Sequence, residues 1–123
     1  MALSLNVFKT VTKVVSTNPV GIYTAPVGYT GVVLLAQVAN IAGVSADISL
    51  SHKRTVAGIA VTTEMLKNYP IEANDTVNLL SGKLVLESGD ALVLSGSSGT
   101  NLKFVSSILE TLNWYYRNGK ISQ

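Results

Sequence analysis

No cysteine occurs in the 123 residues, and there is a single histidine, His52. The first absence excludes a disulfide framework and thiolate ligation, and the two together leave too few ligands for a zinc site. A Ser-His-Asp arrangement could be built only around His52, with Asp47 or Asp90 as its orienting carboxylate. Charge is scarce as well: 13% of residues are Asp, Glu, Lys or Arg, against roughly 25% in an average soluble domain. Nine basic and seven acidic residues give a net charge of +2, and the basic ones are scattered apart from Lys53-Arg54. That pattern carries no nucleic-acid footprint, so no nucleic-acid partner is expected. The longest apolar run, Gly31-Val32-Val33-Leu34-Leu35-Ala36, falls far short of the roughly 20 residues that span a bilayer, and no membrane partner is expected. Met1-Ala2-Leu3-Ser4-Leu5 lacks the segments of a signal peptide, which predicts synthesis in the cytoplasm.

What is present is strand material. Hydrophobic residues make up 47% of the chain, β-branched residues dominate, and the apolar pattern has a period near two. One core is expected at this length, because two would each be too small to stabilise. The pattern predicts a long first strand over 6–17, with Val7, Lys9, Val11, Lys13 and Val15 on one parity and Phe8, Thr10, Thr12 and Val14 on the other. Asn18-Pro19-Val20-Gly21 ends it, a short strand follows over 21–25, and Pro26-Val27-Gly28 breaks the pattern again. Residues 31–40 are the most apolar and read as a central strand buried on both sides. Residues 45–51 alternate, with Ala46, Ile48 and Leu50 inward; a turn at Lys53-Arg54-Thr55 and a strand over 56–66 would complete a hairpin. A short edge strand is expected over 77–80. Strands at 83–87 and 91–95 flank Ser88-Gly89-Asp90, a compact hairpin signal. The last strand covers 102–112, with Leu102, Phe104, Ser106, Ile108 and Glu110 on one face, although 106–116 also fits a helical period. About eight strands with regular turn signals predict an all-β fold: an antiparallel β-sandwich, jelly-roll-like, whose long first and last strands pair.

Residues that could carry chemistry do not cluster. His52 reads as a structural or turn residue. Glu87 and Asp90 could offer oxygens to calcium, but about six are needed, so they read as solubilising residues of a hairpin. Glu72 and Asp75 lack a third group to separate their pKa values. Gly96-Ser97-Ser98-Gly99-Thr100 precedes a strand rather than the helix of a phosphate cradle, and Asn74-Asp75-Thr76 is a glycosylation sequon by pattern alone. A non-enzymatic protein with no catalytic residue, cofactor or metal is the expectation. Trp114, Tyr115, Tyr116 and Arg117 are of the types enriched at interface hot spots and form the candidate interface. The chain is therefore expected to divide into a sandwich domain, residues 1–113, and an aromatic extension, residues 114–123. If exposed loops instead bound a host glycan or protein, Tyr29, His52, Lys53 and Arg54 would be the contacts. A weakly charged surface favours a homo-oligomer, with a trimer among its forms.

Several segments, in this order, carry a resemblance: Val7-Phe8-Lys9-Thr10-Val11-Thr12, Ile22-Tyr23-Thr24-Ala25-Pro26-Val27-Gly28-Tyr29-Thr30, Val33-Leu34-Leu35-Ala36-Gln37-Val38-Ala39-Asn40, residues 79–90 and Ser107-Ile108-Leu109-Glu110-Thr111. Together they resemble small virion structural proteins of cyanophages and related marine tailed phages, over most of residues 6–113. The resemblance implies a capsid decoration or cement protein, or else a neck, tail or fibre-associated component. It implies location in the virion, the major capsid or neck and tail subunits as partners, and no catalytic residues. Residues 114–123 lie outside it.

Overall fold

The computed structural model describes residues 6–113, and every regular element in that range is a strand. They are β1 (Asn6–Val14), β2 (Val20–Thr24), β3 (Tyr29–Asn40), β4 (Ala46–Val56), β5 (Ile59–Ile71), β6 (Thr76–Asn78), β7 (Leu84–Leu86), β8 (Ala91–Gly96) and β9 (Leu102–Leu112). Two sheets form, in the orders β1-β9-β3-β6, with β7 also on β3, and β2-β8-β4-β5. Every pairing is antiparallel. β6 pairs with Gln37–Ala39 and β7 with Gly31–Val33, so the two are collinear pieces of one edge interrupted at 79–83. The nine strands thus fill eight positions, in the order of a jelly roll. The last strand is a strand to its end, and β1 pairs with it from Asn6↔Thr111 to Val14↔Lys103.

The chain changes sheet at every connection except β4–β5 and β6–β7. This corrects the expected hairpin around Ser88-Gly89-Asp90, because β7 and β8 belong to opposite sheets. The turn there crosses the end of the sandwich, with Gly89 at φ 87° and its N–H donated to the Ala25 carbonyl. The β4–β5 turn is also displaced. Lys53, Arg54 and Thr55 continue β4, and the reversal falls on Ala57 (φ 53°) and Gly58 (φ 81°), the left-handed pair of a two-residue hairpin loop. β5 starts later and runs further than the expected 56–66, through Pro70 to Ile71; on a sheet edge the missing donor of Pro70 costs no ladder bond.

The core is built by alternation. Ile48 and Leu50 of β4, Leu92 and Leu94 of β8, Leu102, Phe104 and Ile108 of β9, and Val33 and Val38 of β3 pack between the sheets. Each fully buried aliphatic side chain contributes about 1.5–3 kcal/mol. β3 is central but not buried on both sides: Leu34 is exposed, and the register shift between Val33 and Leu35 brings Ala36 and Val38 back inward. Gly96 marks a close approach, since a Cβ there would stand 2.7 Å from Leu102 Cδ1 and 3.1 Å from the Asp47 carbonyl. Asn40, buried at the same end and paired with Leu102, donates to the Val44, Ile71 and Glu72 carbonyls and accepts from the Ala42 N–H, tying two loops together.

Candidate interaction surface

Two buried carboxylates organise the end of the sandwich where β9 finishes. Asp90 is 3% exposed and accepts from Arg54 Nη2 at 2.7 Å, from Arg54 Nε at 3.1 Å and from the Glu87 N–H at 3.0 Å. His52 Nε2 stands 3.2 Å from the same carboxylate. The Arg54 hydrogen bonds, helped by the Glu87 N–H and His52, outweigh burial and hold the Asp90 carboxyl below its ordinary range. Glu110, 4% exposed on β9, accepts from the Tyr23 hydroxyl of the other sheet at 2.5 Å and faces Lys9 Nζ at 3.5 Å. Burial, then the Glu110 carboxylate, pushes the Tyr23 phenol upward. Gly31 leaves room for that ring: a Cβ there would lie 3.0 Å from the Tyr23 hydroxyl. Both groups bridge elements and leave their carboxylates surrounded by donors, an arrangement that holds structure together.

The outward faces are different in kind. On the sheet containing β1, β9 and β3, the register lines up Phe8, Leu109, Val32 and Val85 in one row across four strands. Phe8 is 75% exposed and Val85 54%. Among the described residues, Lys103 is the one charged side chain at the outward strand positions of this sheet. A second apolar surface lies on the β4–β5 ribbon. β4 pairs with β8 only as far as Lys53, so the ribbon beyond it overhangs the sandwich. Val56 and Val61 are 56% and 51% exposed there and Ile59 is 68%. Val56 pairs with Ile59 and Arg54 with Val61, on the parity that continues Ile48, Leu50 and His52, so the core face runs on past the core. No charge occurs from Thr55 to Thr63. The outer face of the other sheet holds a concavity of about 690 Å³ lined by Ser49, Ser51, Thr62, Glu64 and Lys67 among others, with no aromatic side chain among the described residues.

The sequence candidates distribute unevenly over this architecture. Trp114, Tyr115, Tyr116 and Arg117 lie outside the described residues. His52, Lys53 and Arg54 sit in strand β4 rather than in an exposed loop, and Arg54 is committed to Asp90 and Glu87. Asp90 is not a solubilising hairpin residue but the buried centre of that group, and the carboxylate beside His52 is Asp90, not Asp47. Its remaining bonds go to a guanidinium and a backbone N–H, not to a nucleophile. Asp75 bonds the Thr76 N–H as a turn residue, while Asn74 adopts φ 58°. Among the described residues no group of three His, Cys, Asp or Glu could hold a metal ion, and no helix is long and apolar enough to cross a membrane. The Phe8 row and the ribbon were not identified from sequence, although the outward parity of Phe8 was readable.

No family model and no curated protein matches the chain by sequence. Among solved structures it is similar to a chain of the T13 particle of infectious bursal disease virus: TM-score 0.51 and 10% identity, covering 89% of this chain and 31% of that one. The Gx strain structure of that virus gives a TM-score of 0.55 and 9% identity, with 92% and 34% covered. This chain spans about a third of the length of those viral chains. The CBM22-1 xylan-binding domain of Paenibacillus barcinonensis Xyn10C overlaps more loosely: TM-score 0.43 and 15% identity, with 76% and 62% covered. At such identities the first two likenesses establish the all-β sandwich fold and nothing finer.

Proposed function

We propose that this chain is a non-enzymatic structural subunit of a virion, acting through protein–protein contacts as a capsid decoration or cement protein of a tailed phage. The observation that carries this reading is the outward face of the β1-β9-β3 sheet: one lysine at its strand positions and an apolar row four strands wide. Contiguous apolar patches of that kind mark protein contacts. The jelly-roll likeness to chains of viral particles and the segmental resemblance to small phage virion proteins support the same reading. A host-binding role finds less support, because none of the described residues lining the concavity on the other sheet is aromatic, and ligand sites are lined largely by apolar and aromatic side chains. The test is location. Antibody label or cryo-EM density for this chain on intact particles is the expected result. Its absence from purified particles, with all of the protein free in the lysate, would overturn the reading.

A further inference from the structure

We propose that the inner face of the overhanging β4–β5 ribbon is covered by the chain's own next residues after Asn113, with Trp114 and Tyr116 packing on Val56, Ile59 and Val61. The core then continues past the end of the described sheets. The inference goes beyond the reading of the chain as a virion subunit and does not depend on it.

The ribbon and the exit of the chain lie at the same end of the sandwich. On one sheet, Lys53 pairs with Ala91 at the start of β8, and β4 and β5 run on beyond that pair to the turn at Ala57 and Gly58. On the other, β9 finishes at Leu112, opposite Tyr29 at the start of β3. The turn between β2 and β3 joins these two points, since Thr24 pairs with Ala91 and Tyr29 with Leu112. Asn113 is fastened there. Its N–H is donated to the Gly28 carbonyl at 2.9 Å, its side-chain oxygen accepts from Thr30 Oγ1 at 2.8 Å, and its amide nitrogen reaches the Ser88 hydroxyl at 3.5 Å. Residue 114 therefore starts from a fixed point beside Ser88, in the turn whose Glu87 and Asp90 hold Arg54 at the root of the ribbon.

Parity then selects the side chains that meet. Leu102, Phe104, Ile108 and Leu112 are the buried series of β9, and Trp114 and Tyr116 are its next two positions. Ile48, Leu50, His52 and Arg54 are the inward series of β4, which Val56 continues with Val61 and Ile59 beside it on β5. The two series face each other across the roughly 10 Å that separates packed sheets. Among the described residues, Val56, Ile59 and Val61 belong neither to the core nor to the apolar side chains packed against it. Trp and Tyr bury about 150–250 Å² each and keep a polar tip for the wet rim, which suits a patch of three aliphatic side chains. A segment already tied at Asn113 loses no translational freedom on docking, so a patch too small to hold a separate partner suffices. Residues 1–5 are placed less well. They precede β1, which lies beside β2 at one margin of the sandwich, whereas the ribbon's β5 is the margin strand farthest from β2 in its sheet. Tyr115 and Arg117 fall on the opposite parity, that of Leu109, and are left to the outward side.

Trp114 is the only tryptophan in the sequence, so fluorescence of the full chain reads this contact directly. Its emission should be blue-shifted from the position it has in urea, and acrylamide should quench it less than in urea. Ile59→Asp on the ribbon should move the emission to the urea position and restore full quenching. Phe8→Glu on the outward face should change neither. Circular dichroism verifies folding, and should Ile59→Asp unfold, Val56→Ser replaces it. Native emission already at the urea position would overturn the proposal, as would emission that a folded ribbon variant leaves unmoved. A shift caused by Phe8→Glu instead would assign the segment to the outward row and overturn it too. So would a blue shift lost on dilution as light scattering shows copies separating, because the contact would then belong to a second copy. None of these readouts involves a viral particle, so failure here is distinct from failure of the virion reading.

Discussion

Replacing Asp90 by Asn leaves the shape of the side chain and removes its charge. The carboxylate side chain is 4% exposed and is met entirely by donors: Arg54 Nε and Nη2, the Glu87 N–H and His52. An amide in its place turns one acceptor oxygen into an NH₂ group facing donors, and leaves the guanidinium without its counter-charge. Hydrogen bonds to charged groups contribute about 1.5–3 kcal/mol each, but the oxygen that remains retains part of this, so the expected loss is about 2–3 kcal/mol at pH 7. At roughly 4 °C per kcal/mol for a chain of this size, Tm should fall by about 8–12 °C. The pH dependence identifies the cause. The Asp90 carboxyl is held below its ordinary range in the folded state, so its contribution is present above an unfolded value near 3.9 and is lost as pH falls through the lower folded value. Wild type and variant should therefore differ fully at pH 5–8, and the gap should shrink as pH falls below about 4 and close beyond the folded value, where protonated Asp90 resembles Asn. Urea unfolding by circular dichroism at pH 7, 5 and 3 measures this. An equal gap at pH 3 and pH 7 would show that packing, not charge, is responsible, and no gap at pH 7 would refute the structural role itself.

Three other substitutions test separate parts of the fold. Tyr23→Phe should cost about 1–2 kcal/mol at pH 8, by removing the hydroxyl that donates to buried Glu110. Because the Tyr23 phenol is raised, its contribution is present below pH 10 and lost as pH rises beyond it, so urea midpoints of wild type and variant should approach each other near pH 11. Asn40→Ala removes four hydrogen bonds at a residue 1% exposed and should cost about 2–4 kcal/mol in the same assay. Ala57→Asn, at φ 53° in the exposed turn of the ribbon, should raise stability by about 0.5–1 kcal/mol, because Asn tolerates the left-handed region better than Ala; a lower Tm would contradict the turn geometry.

The strands were legible because alternation is local. β9 was bounded correctly from 102 to 112, and the pairing of first and last strands followed from their matched lengths. The failures share one origin: a neighbour distant in sequence decided the outcome. Lys53-Arg54 looked like a turn because two cations rarely continue a strand inward, yet Arg54 does so to meet Asp90, 36 residues away. The true turn carries Ala at a position where Asn would have been the signal. Ser88-Gly89-Asp90 has the composition of a hairpin, and nothing local distinguishes a turn joining neighbours from one joining opposite sheets. Glu110 was the missed clue. A carboxylate on the parity of Leu102, Phe104 and Ile108 must be buried, and a buried carboxylate requires donors. The Phe8 row depended on register across four strands, which no single strand reveals.

The buried charges bear on how the surfaces are presented. A buried ion pair adds little net stability over a well-packed apolar pair, so energy alone does not account for Asp90. Its position does. The same residue binds the turn that crosses between the sheets, the root of the overhanging ribbon through Arg54, and the end of β2 through the Ala25 N–H bonded to its carbonyl. Glu110 joins β9 to β2 through Tyr23 and reaches β1 through Lys9. These contacts draw Arg54 and Lys9 into ion pairs at one end of the sandwich, in a chain that has few charges to begin with. Rigidity is thereby concentrated where the ribbon departs, and the broad face that carries Phe8, Leu109, Val32 and Val85 is left almost without charge.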